Sequence, residues 1–280
     1  MNELVTRQGA IRYEVTGDGP PVLFLHSALA DHKQWCVQVD ALSQDYRCIT
    51  YDLLGYGTSD NAPDNYDPAD TLLALLDHLE VGPVTLVGSS LGGSVSIHAA
   101  TRYPDRIRSI VLAGTGLFGF QPVLNAPEPA IYREYEAVLA GHDIDRLVDL
   151  AETIWLVGID GSEQHVSQAN RDAFRLMYRE FLNHHGDFAH YRDMDDTDPL
   201  VNLDMPVMVV VGDKDTAFCL AAADYLEQTL PRATIVRMPD VAHFPNLQAP
   251  AGKRTAFKVA QKSPRIRCRR ESSGNEGALS

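Results

Sequence analysis

The chain has 280 residues, 45% hydrophobic and 22% charged, enough to bury one large core or a core with an insertion. Its net charge of −14 hides a split: residues 251–280 hold eight of the 24 lysines and arginines, leaving residues 1–250 with 16 basic and 36 acidic groups, a net of −20. So acidic a body disfavours nucleic acid, anionic membrane surfaces and polyanionic substrates. In chain order, residues 1–7 contain Glu3 and no apolar stretch, so no secretory signal and a cytoplasmic location are expected. Residues 3–16 alternate apolar and polar around Gln8-Gly9-Ala10, the pattern of an antiparallel hairpin. The apolar run 22–25 fits a strand buried on both faces. A loop over 26–31 follows, then an amphipathic helix through Trp35, Val39 and Leu42, a strand over 46–51 and a turn-rich loop over 52–60. Asp67 is placed to cap a helix that has Pro68 in its first turn, with Leu72, Leu73, Leu76 and Leu79 marking the buried face.

Residues 84–87 form the next apolar strand, with a helix over 90–103 behind it and another strand at Ile107–Ala113. The alternation then stops for almost ninety residues, which are helical in period over 131–139, 144–157 and 166–182. Strands resume at 207–211 and 233–237, around a helix over 217–230. Regular alternation of strand and helix predicts an α/β protein: a mostly parallel central sheet flanked by helices on both faces, with an inserted helical lid. The expected organisation is a core of residues 1–116 and 205–262, a lid of 117–204 over the carboxyl edge of the sheet, and a polar, basic tail of 263–280. A short helix docked through Phe257 is expected to close the core before that tail begins.

The motif that organises the chain is Gly88-x-Ser90-x-Gly92 between the strand over 84–87 and its helix. A sharp strand-to-helix turn strains the serine backbone and exposes its hydroxyl, and the flanking glycines let strand and helix approach closely. Amides at the start of that helix face developing negative charge. A serine nucleophile needs a base, and the base needs an orienting acid. On such an elbow they follow in the order acid, then histidine, each after a strand. Gly212-Asp213-Lys214-Asp215 offers two acids after the strand over 207–211, and His243 is the only histidine beyond residue 190.

These residues resemble the α/β-hydrolase superfamily over about residues 20–250. Gly88-Ser89-Ser90-Leu91-Gly92-Gly93 is similar to its serine elbow, Ala242-His243-Phe244-Pro245 to its histidine loop, and Asp52-x-x-Gly55-x-Gly57-x-Ser59 to the turn after its fourth strand. Gly212-x-x-Asp215 resembles its acid loop, and the resemblance favours Asp215 over Asp213. It implies an oxyanion hole made by the backbone amides of Ala28 and Leu91. Two departures stand out: His26-Ser27 replaces the common His-Gly, putting a side chain beside that hole, and Leu54 replaces a frequent arginine, removing an ion pair.

A serine at the elbow counts against dehalogenase and epoxide hydrolase relatives, which use aspartate there. The loop over 26–31 lacks the glycine- and proline-rich character of carbon–carbon bond hydrolases. The expected activity is hydrolysis of a small, apolar carboxylic ester or lactone through an acyl-enzyme on Ser90, His243 and Asp215. The alternatives are C–C hydrolysis of a β-diketone-like substrate and a non-catalytic small-ligand receptor. No cofactor is expected. Nor is a metal: Cys36, Cys48, Cys219 and Cys268 are dispersed, and His184, His185 and His190 near Asp187 lack zinc-site spacing. Trp155, Tyr178 and Phe181 are expected chiefly to pack lid on core, with acyl-pocket lining as the alternative, and His98 to be a packed polar residue.

Overall fold

The apolar runs assemble into one sheet whose two faces are both covered. The computed structural model describes residues 1–124, 127–186, 188–189 and 191–248. Its strands are β1 (Asn2–Val5), β2 (Ala10–Thr16), β3 (Pro21–Leu25), β4 (Arg47–Tyr51), β5 (Val84–Ser89), β6 (Ile107–Ala113), β7 (Val207–Gly212) and β8 (Ala233–Met238). They lie side by side in the order β1-β2-β4-β3-β5-β6-β7-β8. The β1–β2 and β2–β4 pairs are antiparallel, and from β4 to β8 every pair is parallel. The helices are α1 (Cys36–Leu42), α2 (Pro68–His78), α3 (Leu91–Arg102), α4 (Ala130–Gly141), α5 (Ile144–Ala151), α6 (Gln168–His184), α7 (Ala217–Thr229) and a final turn, α8 (Pro245–Gln248). Among the described residues no helix is long and apolar enough to cross a membrane.

The period of two decides which side chain meets which layer. Val22, Phe24, Val87, Val111, Met208 and Val210 form a cluster on one face with Trp35 and Cys48. Leu23, Leu25, Leu86, Leu112, Val209 and Val211 point the other way into the larger core. The inner strands β3 and β7 are thus apolar throughout because neither of their faces meets water, whereas the outer strands β1, β2 and β8 carry exposed polar residues. After β3 the chain moves outward to β4 and then returns across β3 to β5, so the order reverses between β3 and β5. Loops leaving the carboxyl ends of those two strands diverge and open a crevice there. Leu25 at the end of β3 lies opposite Gly88 near the end of β5, so the loop after Leu25 and the elbow after Gly88 begin side by side.

Between β6 and β7 the chain leaves the sheet and forms α4, α5 and α6, with a further helical segment, Glu152–Gly158, between α5 and α6. These helices pack on one another, and α6 also reaches the 3₁₀ turn His32–Trp35 beside α1. Asp67 caps α2 as expected, accepting from the Ala69 amide at 2.9 Å. One expectation needs correction on α2: Leu75, not Leu73, joins Leu72 and Leu76 in the core, with Leu79 packed at its edge. Leu75 lies three residues after Leu72 and four before Leu79, on the stripe that faces α3, whereas Leu73 is turned about 100° away and half-buried. The expected helix at Phe257 and the tail over 263–280 lie outside the described residues.

The corrected face has a measurable consequence. Leu75→Ala is expected to lower stability by roughly 2–5 kcal/mol, the range for emptying a fully buried leucine site. Leu73→Ala is expected to cost less than about 1 kcal/mol. Urea unfolding of the two variants checks this, and equal losses would restore the other face.

Candidate active site

Ser90 sits where β5 becomes α3, with φ 52° and ψ −116°. A non-glycine residue in this region stores about 1–3 kcal/mol of strain, and persists only where its surroundings over-determine it. Here the Ser90 amide donates to the Ala113 carbonyl of β6 at 3.0 Å, and its carbonyl accepts from Gly93 and Ser94 at 2.9 and 3.1 Å. The motif glycines have specific steric reasons. A methyl on Gly88 would strike the Gly92 carbonyl, and one on Gly92 would strike the carbonyls of Leu25 and His26. The elbow is thus pressed against the end of β3. No side chain caps α3 and no acidic residue lies in its first turn, so its leading amides face the crevice uncompensated.

Asp215 and His243 arrive from the next two carboxyl ends. Asp215 follows β7 and His243 follows β8, and His243 Nδ1 lies 2.7 Å from Asp215 Oδ1. Both side chains are buried. Asp215 Oδ1 also accepts the Thr216 amide at 2.7 Å, which fixes the carboxylate in place. Asp213 is turned elsewhere: it is exposed and accepts the Asp240 amide at 2.8 Å, bracing the turn before the histidine loop. Gly114, with φ 54°, follows β6 directly beneath the pair, where a Cβ would lie 3.1 Å from both Asp215 Oδ2 and His243 Nδ1. Burial works against a charged His243, but the Asp215 carboxylate, with Cys219 beside it, outweighs burial and holds the imidazole well above its usual value.

The loop after β3 carries Ala28. Ser27, the departure from glycine, is buried and bonds within its own loop. Its Oγ accepts the Leu29 amide at 3.3 Å and its own amide donates to Gln34 Oε1 at 2.9 Å. Gln34 is fully buried, and its Nε2 and carbonyl bond the side chain of Asn246, three residues after His243. One glutamine therefore ties the Ala28 loop to the histidine loop. His26 closes the other side: its Nδ1–H donates to the Ser27 carbonyl at 2.8 Å, and its Nε2 accepts the Leu53 amide at 3.0 Å. Acceptance at Nε2 requires the neutral ring, and burial pushes its pKa down. Among the described residues neither the Ala28 nor the Leu91 amide has a hydrogen-bond partner outside the helix ladder. Leu54 is buried apolar, and the adjacent Asp52 has His32 as its ionic partner at 2.7 Å. Burial opposes both charges, yet the bond raises the His32 pKa and lowers that of Asp52.

Ser90, Leu91 and His243 open onto a cavity of about 650 Å³ whose far wall includes Tyr132 and Trp155 from the helical insertion. Of the three aromatics singled out in the insertion, Trp155 alone lines this cavity. Tyr178 and Phe181 are buried and stack on each other and on Phe174 and Tyr56. The lining is mostly apolar, and among the described residues it contains Glu128 and His243 but no lysine or arginine. Cys219 on α7 also borders it, a buried free thiol that nothing in its local sequence distinguishes. Two clusters gather donor atoms within 4.8 Å: Asp215 with Cys219 and His243, and Asp31 with His32 and Asp52. In each a carboxylate–imidazole hydrogen bond already engages the donor atoms. His98 is buried between the carboxylates of Asp196, 2.9 Å from Nδ1, and Asp67, 3.3 Å from Nε2. His184 and His185 turn to the Glu180 carbonyl and to Asn61, while Asp187 and His190 lie outside the described residues.

Known proteins share this frame. Among curated proteins, the pimeloyl-[acyl-carrier protein] methyl ester esterase of Nitrosomonas europaea is 28% identical over 247 residues, covering 86% of this chain and 95% of that protein. A non-heme chloroperoxidase of Kitasatospora aureofaciens is 33% identical over 227 residues, covering 75% and 80%. The crystal structure of a hydrolase from Pseudomonas aeruginosa has a TM-score of 0.77 at 25% identity, covering 94% of this chain and 98% of that one. The family model described as alpha/beta hydrolase fold matches residues 20–250, from the strand before the Ala28 loop to the helix turn behind His243, and this chain belongs to that family.

Proposed function

We propose that the protein is a serine hydrolase that cleaves a small, neutral carboxylic ester or lactone through an acyl-enzyme. The observation that carries this reading is the 2.7 Å bond from His243 to the buried Asp215 carboxylate at a cavity that the strained Ser90 also lines. In the proposed cycle the Ser90 hydroxyl attacks the carbonyl carbon as His243 removes its proton. Asp215 holds the imidazole in the required tautomer and stabilises the imidazolium. Negative charge on the former carbonyl oxygen is met by the amides of Ala28 and Leu91, each such donor being worth about 100-fold or more in rate. His243 then returns its proton to the leaving oxygen. Water, activated by the same histidine, hydrolyses the acyl-serine. The helices between β6 and β7 serve as the lid in this reading, supported by the cavity wall they supply. A cytoplasmic setting agrees with the free thiols of Cys36, Cys48 and Cys219.

The first test is covalent. A fluorophosphonate probe is expected to label wild-type protein on Ser90 and to leave Ser90→Ala unlabelled. On p-nitrophenyl esters the variant should lose roughly 10⁴-fold or more of kcat with an unchanged melting temperature. Substantial turnover by a folded Ser90→Ala would rule the mechanism out.

The pH dependence has a definite sign. His243 accepts a proton only when neutral, and its pKa is raised, so kcat/KM should climb with pH through a midpoint above the usual imidazole value. Asp215→Asn removes the charge that opposes burial, so its residual activity should have a lower midpoint as well as a lower rate. Asp213→Asn should leave both as they are. A midpoint in Asp215→Asn at or above that of the wild type would contradict the assignment.

Substrate charge supplies a third check. With Glu128 at the cavity, no lysine or arginine among its described lining residues and an acidic body, a carboxylate on the substrate meets repulsion without a partner. A neutral p-nitrophenyl butyrate is expected to exceed the hemisuccinate ester in kcat/KM by about ten-fold or more, roughly 1.4 kcal/mol. Equal values would place a cation in the pocket.

A further inference from the structure

The cavity wall facing the sheet contains a segment that the proposed reaction does not use. After α5 the chain continues over Glu152–Gly158 as a π-helix. Such i→i+5 turns are rare, occur mostly as single-turn bulges and are frequent at functional sites. This one is gripped at its first residue. Glu152 is 4% exposed, and its carboxylate pairs with Arg171 and with Arg175, the latter at 2.5 Å, both on α6. Arg175 also reaches Asp149 on α5 at 2.7 Å. A carboxylate so withdrawn from water requires partners of this kind.

The other end of the π-helix touches the loops that carry Asp215 and His243. The Trp155 carbonyl accepts the backbone amide of His243 at 3.1 Å. Gly158, at φ 88°, lies so close that a Cβ there would stand 3.0 Å from Ala242 Cβ and 3.1 Å from the Lys214 carbonyl. Ala242 precedes His243, and Lys214 precedes Asp215. Two more bonds join the insertion to the same stretch: His165 Nδ1 lies 3.3 Å from the Asp240 carbonyl, and Asn170 Nδ2 donates to the Leu247 carbonyl at 2.5 Å.

We propose that Glu152 is a positioning residue: by anchoring the π-helix to α6 it sets the Trp155 carbonyl and Gly158 against the two loops, and thereby holds His243 and Asp215 in register with Ser90. The insertion would then shape the reacting geometry as well as cover the cavity. The proposal rests on reading His243 as the general base.

The test combines steady-state kinetics on a neutral p-nitrophenyl ester with amide hydrogen exchange, using the full chain. Glu152→Gln keeps the volume and removes the charge that holds the two arginines. It is expected to lower kcat by about 10- to 100-fold with KM within about two-fold, the signature of misplacement rather than lost binding. The amide of His243 should exchange faster in the same variant. Gly158→Ala, which strains the other end of the segment, should do likewise. Arg179→Gln breaks an exposed pair with Asp145 on the same helices and should change neither quantity. A folded Glu152→Gln with wild-type kcat and a protected His243 amide overturns the proposal, as does a rise in KM alone. If neither variant folds, wild-type exchange in rising urea decides: His243 must open together with residues 152–158, and independent opening overturns the linkage. Absence of Ser90-dependent turnover in the wild type would sink the hydrolase reading, while the exchange measurement would still judge the linkage.

Discussion

The constraint on which the rest of the structure depends is the backbone of Ser90, held at φ 52° between a strand and a helix. Left alone, a serine would relax from that conformation, since it costs about 1–3 kcal/mol. It is kept there because β5 is paired on both sides, Gly88 with Leu25 of β3 and Ser89 with Ala113 of β6, and because α3 is pressed onto the end of β3. The glycines at 88 and 92 are the residues that make this approach sterically possible. The reversal of strand order between β3 and β5 then leaves open space directly above the hydroxyl. Strain, glycine spacing and topology are three aspects of one arrangement.

Around this point the loops are held by buried polar groups contributed from distant parts of the chain. His26 joins the loop after β3 to the loop after β4 through Leu53. Gln34 joins the same loop to the helix turn behind His243 through Asn246. Each of these side chains uses its donors and acceptors on backbone or on another buried amide, so nothing needs to ionise. Buried networks of this kind stiffen a site when every member is satisfied. The ionic contacts of buried carboxylates lie elsewhere, on Glu152 with Arg171 and Arg175, on Asp52 with His32, and on Asp67 with Arg102 and Arg192. The last group binds the cap of α2 to α3 and to the chain returning from the insertion. It anchors the framework without adding a cation to the cavity.

What the sequence by itself determined was whatever is local or ordered along the chain. Runs of β-branched and apolar residues specify buried strands wherever they fall, so the sheet and its alternation with helices were legible. Asp67 before Pro68 specifies a helix start through its own next two amides. The order of Ser90, Asp215 and His243, each just past a strand, was legible because the sheet delivers carboxyl ends to one edge whatever their separation in sequence.

Only the tertiary structure decided the choices that depend on contact across the chain. Asp213 and Asp215 are two residues apart and equivalent by composition, so that by sequence only the family resemblance favours Asp215. The turn directs one to the Asp240 amide and the other to His243. Leu73 and Leu75 were separated by where α3 lies, and Trp155 from Tyr178 and Phe181 by which side chains of the insertion reach the cavity and which stack against Phe174 and Tyr56. The roles of Gln34 and Cys219, and the π-helix over Glu152–Gly158, have no local signature, because each is set by a partner tens to hundreds of residues away. A sequence states which groups a segment offers. Which of them meet is decided by packing, since a buried donor, acceptor or charge is stable only where the rest of the fold brings it a partner.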